Sequence, residues 1–376
     1  MNVTTKILDD VRVKRSLSFQ GNLKSCLESS GKKYGAQMSE MLRLMMGPGK
    51  IDPWEYYMYG LYDDGRYSPE DKRRFIGHKF ARGLTKKYFP DAVSDETIDK
   101  ALFYERMAAI GVPVPKTYAA YCKEKSYAAI RTLSDREEVA RFVREEVSYP
   151  FFSKPIRFTN SLGVAPVRSY DKASDSLVLA GGRSVGMTQY LSEIEGMSDK
   201  GYMFQEPLKP HPGIRALSGD SVSTVRVLVI LEQGTPAILH ASWKIPASGN
   251  PADNFWREGN MLGAVEPESG RVVRVVDRGF PDQIEIETHP DTGARLTGAT
   301  LPDWAALRDL CLEAARTFPA SPLQGWDIAL CEDGPVAVEV EGDGGEPFMT
   351  QLPSARGLRD ERFEAHIKSS IARYKS

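Results

Sequence analysis

The stretch Gly325-Trp326-Asp327-Ile328-Ala329-Leu330, continued by Cys331 to Pro335 and then by Val336-Ala337-Val338-Glu339-Val340-Glu341-Gly342-Asp343-Gly344-Gly345, decides how this chain is read. Two short β-branched runs flank an Asp-Gly pair, which predicts a hairpin. Side chains alternate between the faces of a strand, so Glu339 and Glu341 point the same way. Whether Asp327 joins them depends on the turn. A three-residue connection, Asp333-Gly334-Pro335, sets Asp327 across from Glu341 and gathers three carboxylates on one face; a two-residue turn puts Asp327 on the other side. Gathered carboxylates repel unless a cation neutralises them. Hard oxygen ligands of this kind suit magnesium or manganese, particularly where phosphate oxygens complete the shell. A lone acidic hairpin is more often simply solvated, so the rest of the chain has to carry the argument.

Composition narrows the field. A chain of 376 residues, 41% hydrophobic and 27% charged, is long enough for two or three globular domains with a sizeable core. A net charge of −2 and a pI near 6.3 leave no global basic field, which disfavours nucleic acid as a partner. Residues 1–16 alternate charged and apolar types without the apolar core of a signal peptide, and no apolar run approaches the roughly 18 to 20 residues that span a bilayer. The expectation is a cytoplasmic protein without membrane insertion. Cys26, Cys122, Cys311 and Cys331 lack paired spacing, so neither a zinc site nor a disulfide framework is expected, and the thiols read as reduced and structural.

Residues 1–95 are rich in helix formers and aromatics, and the stripe of Trp54, Tyr56, Tyr57, Tyr59, Leu61 and Tyr62 is expected to pack inward. Gly47-Pro48-Gly49-Lys50 lacks the leading glycine and the Ser/Thr of a phosphate loop. A helix is predicted from a cap at Ser94 through Lys100 to Ile110, then a strand at 117–121 and a second helix at 135–147. The apolar strand Phe151-Phe152-Ser153-Lys154-Pro155 ends in a lysine beside the loop 157–164, where an ammonium and backbone N–H groups could hold a phosphate together. Tyr202 to Leu208 reads as a strand ending in a hinge at Gln205-Glu206-Pro207. In the strand Ser221 to Ile230, Arg226 shares a face with Leu228 and Ile230; a buried arginine needs an anion, either an internal carboxylate or a substrate. The long loop 245–260 holds Asp253, Asn254, Trp256 and Arg257, and loops of that length are usually functional or disordered. An amphipathic helix is expected at 303–318 and a charged helix at 360–374. His211, His240 and His289 could each act as a base, though a lone histidine is more often structural; His211, which follows the hinge, is the best placed.

The order of these pieces resembles the ATP-grasp superfamily, and most closely its sugar-transfer-associated branch. The resemblance is carried by Asp99-Lys100 with the helix and Gly-Val-Pro-Val-Pro that follow, Phe-Phe-Ser-Lys154-Pro, Gln205-Glu206-Pro-Leu-Lys-Pro-His211-Pro, Ser-Val-Ser-Thr224-Val-Arg226-Val, Asp253-Asn254, and Gly-Trp-Asp327-Ile-Ala through Glu339-Val-Glu341-Gly-Asp343, over about residues 50–350. It implies an α+β fold in which two lobes clamp ATP behind a helical N-terminal region: 1–95 helical, 96–205 a lobe with the phosphate-binding lid, 206–350 a lobe with the metal-binding strands, and 351–376 a C-terminal helix. It implies that Lys100 and Lys154 contact ATP phosphates, that the lid with Asn160, Ser161 and Gly163 closes over them, and that Gln205, Glu206, Pro207 and Leu208 meet the adenosine. Asp327 and Glu339 would hold magnesium or manganese, with Glu341 where relatives carry a neutral amide. Arg226 would meet the γ-phosphate or an acyl phosphate. His211, Lys244, Asp253, Asn254, Trp256 and Arg257, with Arg157, would face the acceptor substrate. Three features depart from the pattern: the lid has a single glycine, Glu341 adds charge to the metal site, and Trp256-Arg257-Glu258-Gly259-Asn260 stands where paired glycines are usual.

The implied activity is an ATP-dependent carboxylate–amine ligase working through an acyl phosphate and joining an amino acid or small acid to an amine, in a natural-product or cell-surface sugar setting. Lys100, Lys154 and Arg226 would neutralise charge on the transferring phosphoryl group. No Ser/His/Asp or Cys/His constellation is present, and none is needed. The alternatives are a phosphotransferase that stops at the phosphorylated product and a nucleotide-binding protein without turnover. The expected partners are small-molecule acid and amine substrates, with a homodimer left open.

Overall fold

The computed structural model describes residues 18–157, 163–277 and 283–375. The N-terminal region is helical, with α1 (Phe19–Ser30), α2 (Tyr34–Met46), α3 (Pro53–Met58), α4 (Pro69–Arg74) and α5 (His78–Tyr88). Local chemistry explains the short ones. At α4 the Ser68 hydroxyl accepts the Asp71 N–H at 3.1 Å while the Asp71 carboxylate accepts the Ser68 N–H at 3.1 Å, with Pro69 opening the first turn. Tyr56, Tyr57, Tyr59 and Leu61 are buried, and they pack with Phe255, Leu262, Val276 and Phe348 from later in the chain. Trp54 departs from the stripe and stays half-exposed.

The helix expected from Ser94 is two helices, α6 (Asp95–Ile98) and α7 (Lys100–Ala109). Asp99 makes the break: its side chain accepts the N–H groups of Ala101 and Leu102 at 3.1 Å each and caps a new start, which puts Lys100 in the first position of α7. Phe103 of α7 lies 5.8 Å from Trp326 and 6.4 Å from Phe318, ring centre to ring centre. The helix that carries Lys100 packs with residues after 206, and the same core takes in Ala120 and Met203 of the strands that follow it in sequence.

Those strands form a seven-stranded sheet. Its members are β1 (Thr117–Tyr121), β2 (Thr132–Leu133), β3 (Phe151–Pro155), β4 (Ala165–Asp171), β5 (Ser176–Leu179), β6 (Ser184–Gly186) and β7 (Tyr202–Gln205), in the order β2-β1-β7-β3-β4-β5-β6. Among these described strands only β1 and β2 pair in parallel. Helices α8 (Arg136–Arg141, continued to Glu146 as a π-turn) and α9 (Met187–Gly196) cover one face around Phe142, Phe151, Tyr190 and Phe204.

After α10 (Pro212–Ser218) comes a six-stranded antiparallel sheet of β8 (Thr224–Glu232), β9 (Thr235–Ile245), β10 (Met261–Val265), β11 (Val272–Val276), β12 (Leu323–Cys331) and β13 (Gly334–Glu341), ordered β11-β10-β9-β8-β12-β13. Between β11 and β12 lies α11 (Trp304–Ala315); α12 (Phe348–Ser354) and α13 (Glu361–Lys375) close the chain. Period-two alternation splits β8 cleanly. Val225, Val227 and Val229 join Trp243, Trp326 and α11 in one core, while Leu228 and Ile230 pack on the other face with Ile76, Leu84, Phe89 and α13. Arg226 lies on that second face, at the end that the helices leave open.

The decisive hairpin turns at Glu332-Asp333, with Cys331 opposite Gly334, so of the two connections the sequence left open the two-residue turn is the one present. Alternation alone would then place Asp327 away from Glu339 and Glu341. A β-bulge at Val338 restores the gathering: Ile328 pairs with Ala337, but Asp327 pairs with Glu339 and Gly325 with Glu341. Beyond the hairpin, Gly342 passes so close to the Ala92 carbonyl that an added Cβ would sit 1.7 Å from its oxygen. Gly342→Ala should therefore destabilise the protein by about 1–3 kcal/mol through overpacking, read as a lower urea midpoint.

Candidate active site

A cleft of about 1800 Å³ opens between the two sheets. Its inner wall is a row of residues that strand register sets side by side. Arg226 on β8 is opposite Asp327 on β12, which is opposite Glu339 on β13, and Lys244 on β9 is opposite Thr224 on β8. Lys100 reaches in from α7 and Lys154 from the end of β3.

The charges are mostly spoken for. Arg226, 4% exposed, donates from Nε to Asp327 Oδ1 at 2.7 Å and from Nη2 to Oδ2 at 3.2 Å, and from Nη1 and Nη2 to the two Glu341 oxygens at 2.9 and 3.0 Å. Such two-pronged contacts match the planar fork of guanidinium to carboxylate geometry. Of the two anions the sequence left open for Arg226, the internal carboxylate is the one present. Lys244 donates to Asp327 Oδ2 at 2.8 Å, and Lys100 sits 3.0 Å from Glu339 Oε1. Burial alone would push the Asp327 carboxyl up; Arg226 and Lys244 outweigh it and hold the group well below the usual carboxylate range. Burial pushes Glu341 up, with Arg226 pulling against it. Gly345 lets the chain fold onto this pair, since a Cβ there would come within 1.9 Å of Glu341 Oε2 and 2.2 Å of Arg226 Nη1.

Lys154 is different. It is buried, yet among the described residues no carboxylate lies within ion-pair distance of its ammonium, which donates to the Tyr104 hydroxyl at 2.9 Å. Tyr104 in turn donates to the carbonyl of Val338, the bulged residue, at 3.1 Å. Burial lowers the Lys154 ammonium to about 8, against the pull of Glu339, Asp327 and Asp253. Tyr104 was not expected here. Its signal was its place four residues after Lys100, on the same helix face.

Gln205, Glu206, Pro207 and Leu208, expected at a hinge, all line the cleft. Gln205 is buried and donates to Thr117 Oγ1 at 3.0 Å, while Glu206 is exposed 3.2 Å from Lys116. Of the residues expected to face an acceptor, Lys244, Asp253, Asn254, Trp256 and Arg157 line the cleft, but Arg257 is buried away from it. Asp253 accepts the Thr224 N–H at 2.7 Å and the Thr224 hydroxyl at 2.6 Å, so it ties the 246–260 loop to β8. Asn254 Oδ1 accepts the Trp256 N–H at 2.8 Å, and the Trp256 ring packs 5.1 Å from that of Phe348. Arg157 pairs with Asp99 at 3.0 Å. His211 is outside the lining: its Nδ1 accepts the Gly213 N–H at 2.9 Å as the cap of α10. Gly163, with φ of 73°, accepts the Tyr202 hydroxyl and is likewise outside the lining, whereas Val164 is part of it. Asn160 and Ser161 lie outside the described residues.

One further wall was not foreseen. Trp54, Glu55, His78 and Arg82 of the N-terminal helices face the same cleft. No described helix is long and apolar enough to cross a membrane, and the four cysteines are free thiols.

The family described as sugar-transfer associated ATP-grasp matches residues 79–366. No curated protein sequence matches significantly. Among solved structures, the D-alanine-D-alanine ligase from Coxiella burnetii is similar over 74% of this chain and 58% of its own, at 12% identity and a TM-score of 0.40. The VanG D-Ala:D-Ser ligase from Enterococcus faecalis is similar over 74% and 62%, at 14% identity and a TM-score of 0.43. The ATP-grasp ligase PsnB, solved with a minimal precursor, is similar over 76% and 63%, at 18% identity and a TM-score of 0.37. The chain thus spans less than two thirds of the length of each of these structures. The family match takes in well over half of the chain, and the chain belongs to the sugar-transfer associated ATP-grasp family.

Proposed function

We propose that this protein is an ATP-dependent ligase that activates a carboxylic acid as its acyl phosphate and passes the acyl group to an amine. The observation that carries the reading is Lys154: a buried ammonium with no carboxylate partner among the described residues, aimed into a cleft whose other inner cations are paired. A cation held out of water at a cost is accounted for by an anion that arrives, and a phosphate suits it. In this reading Lys154 and Lys100 receive the phosphates and residues 205–208 meet the adenine edge.

The donor set fits a divalent cation. Glu339 has one oxygen near Lys100 and its other without a partner among the described residues, and Asp327 is ionised beside it. Glu339 and Asp327 would hold the metal, which supplies charge neutralisation on the phosphoryl oxygens. Arg226 then acts as the clamp that fixes Asp327 and Glu341, and the charge of Glu341, where relatives carry an amide, is absorbed by Arg226 and need not be met by a second metal. The acid's carboxylate oxygen attacks the γ-phosphorus and ADP leaves. The amine then attacks the carbonyl carbon, phosphate leaves, and the amine's proton departs with it. The protein's part is orientation and charge, with no side-chain nucleophile.

The test is ADP release with Mg-ATP across acids and amines offered singly and in pairs, with products weighed by mass spectrometry. ADP that requires both an acid and an amine, with a condensed product, supports the ligase. A stable phosphorylated acid would instead make it a phosphotransferase, and ATP binding without ADP a non-catalytic protein. The same reading sets a pH dependence. Phosphate favours the protonated Lys154, whose free ammonium titrates near 8, so ATP affinity should hold below pH 8 and weaken above it by up to about tenfold per pH unit. Calorimetric titration from pH 6.5 to 9.5 measures this, with Lys154→Met expected to show a flat profile.

A further inference from the structure

A surface helix needs an inward stripe only about 100° wide, and α2 is buried or apolar over about twice that. At about 100° per residue, Gln37, Met41 and Leu44 share a narrow sector, and all three are buried. They pack with Cys26 of α1 and with Tyr56 and Tyr57 of α3, and Tyr57 donates to Gln37 Oε1 at 2.9 Å. Beside that sector, over about 120° more, lie Tyr34, Met45, Met38, Leu42, Gly35 and Met46, with no polar side chain among them. The five side chains are 37% to 67% exposed, and an added Cβ at Gly35 would meet nothing within 4 Å. Together they show roughly 500 Å² of apolar surface, near the top of the range for the largest patch on a monomer. Charge is kept to the remaining arc, where Arg43 is exposed and Glu40 is held by Lys32, Lys72 and Tyr56. A helix apolar on so much of its circumference is ordinarily covered on both sides, and among the described residues the outer side of α2 stands open.

We propose that this outer face is the two-fold interface of a homodimer, with α2 lying antiparallel against its own copy. The face is self-complementary. When Met38 is set opposite the partner's Leu42, helix register sets Tyr34 opposite the partner's Met46 and Gly35 opposite the partner's Met45. Every position of the outer sector then meets another position of the same sector. A flexible thioether falls against a ring in one pair and into the notch left by Gly35 in the other. Methionine and aromatic side chains with charge excluded are also the composition of an interface centre, and two such faces bury roughly 1,000 Å², the floor for a specific interface. The inference is independent of the ligase reading, since α2 precedes the family match that begins at residue 79. It bears on the cleft all the same: α3, held by the inner face of α2, presents Trp54 and Glu55 to it.

The experiment is sedimentation velocity with light scattering on the full chain across a wide range of concentration. The mass should rise to twice the 41.8 kDa of one chain. Leu42→Lys and Met38→Lys should each raise the dissociation constant by about a hundredfold or more, because the ammonium would have to be desolvated against an apolar face. Both positions are exposed on the single chain, so at a dilution where the parent is monomeric the variants should melt where it does. Val273→Lys, at a comparably exposed apolar position on β11, should leave the dimer intact. With Met38→Cys and Leu42→Cys combined, mild oxidation should join the two chains of a dimer, whereas the parent, whose four thiols are buried or half-buried, should stay unlinked. A parent that is monomeric throughout overturns the proposal. So does a dimer that survives both lysine substitutions, or one that the paired cysteines do not link. A monomer that dimerises only once residues 1–17 are removed would assign the cover to that segment and likewise overturn the second copy.

Discussion

Lys154→Met should lower kcat/KM for ADP formation by about a thousandfold, the scale seen when a preorganised charge is removed from a transition state. The parent and variant should unfold at the same temperature, or the variant slightly higher. Methionine has nearly the length and volume of the lysine stem, so no cavity opens in the wall between β3 and α7. Tyr104 loses one donor but keeps its bond to the Val338 carbonyl. What disappears is a desolvated ammonium that folding does not neutralise. A residue whose removal leaves or raises stability and abolishes turnover is one kept for the ligand. Turnover within tenfold of the parent would remove Lys154 from the phosphate site.

Asp327→Ala should fail in a second way, losing turnover and about 3 kcal/mol of stability together. Asp327 is 5% exposed and accepts from both Arg226 and Lys244. Taking away one member of a buried charge network strands the others, at roughly 3–5 kcal/mol for a lone pair. The lower end is expected here because Arg226 keeps Glu341 and Lys244 keeps Asp253 at 3.9 Å. Glu339→Ala is the control: its side chain is partly exposed and among the described residues meets only Lys100, so turnover should fall as far while the urea midpoint moves little. Equal stability losses in the two variants would mean that Asp327 is not the centre of the cluster.

Much of this was legible in the chain. The strong period of β8 announced a strand with an arginine needing an anion, and the anion is internal. The run ending in Lys154 and the hinge at Gln205-Glu206-Pro207 fall at the ends of β3 and β7, where they line one cleft. What could not be read depended on contacts distant in sequence or on breaks in period. The bulge at Val338 reverses alternation in a hairpin whose sequence is compatible with regular pairing. Asp99 ends one helix and starts another because its carboxylate can reach two N–H groups, a choice that Ser94 upstream conceals. His211 looked like a base from its place after the hinge, and it caps α10 instead of lining the cleft. Trp54 looked like one more core aromatic because nothing in the stripe distinguishes the residue that faces a cleft from those that face a sheet.

The pairing of charges on the inner wall of the cleft has a consequence for how a nucleotide would arrive on the proposed reading. Lys100, Lys154, Arg226 and Lys244 stand against Asp253, Asp327, Glu339 and Glu341, four positive groups and four negative, and most are within contact distance of an opposite. Such an arrangement projects almost no field beyond the Debye length, so it cannot draw a polyanion in from solution. On the proposed reading capture would begin by unsteered diffusion, and attraction would be felt only at short range, from Lys154 directly and from the paired cations once the phosphates exchange places with the carboxylates they hold. The cleft thereby discriminates at short range, by geometry, and gives little advantage to any anion that merely carries charge.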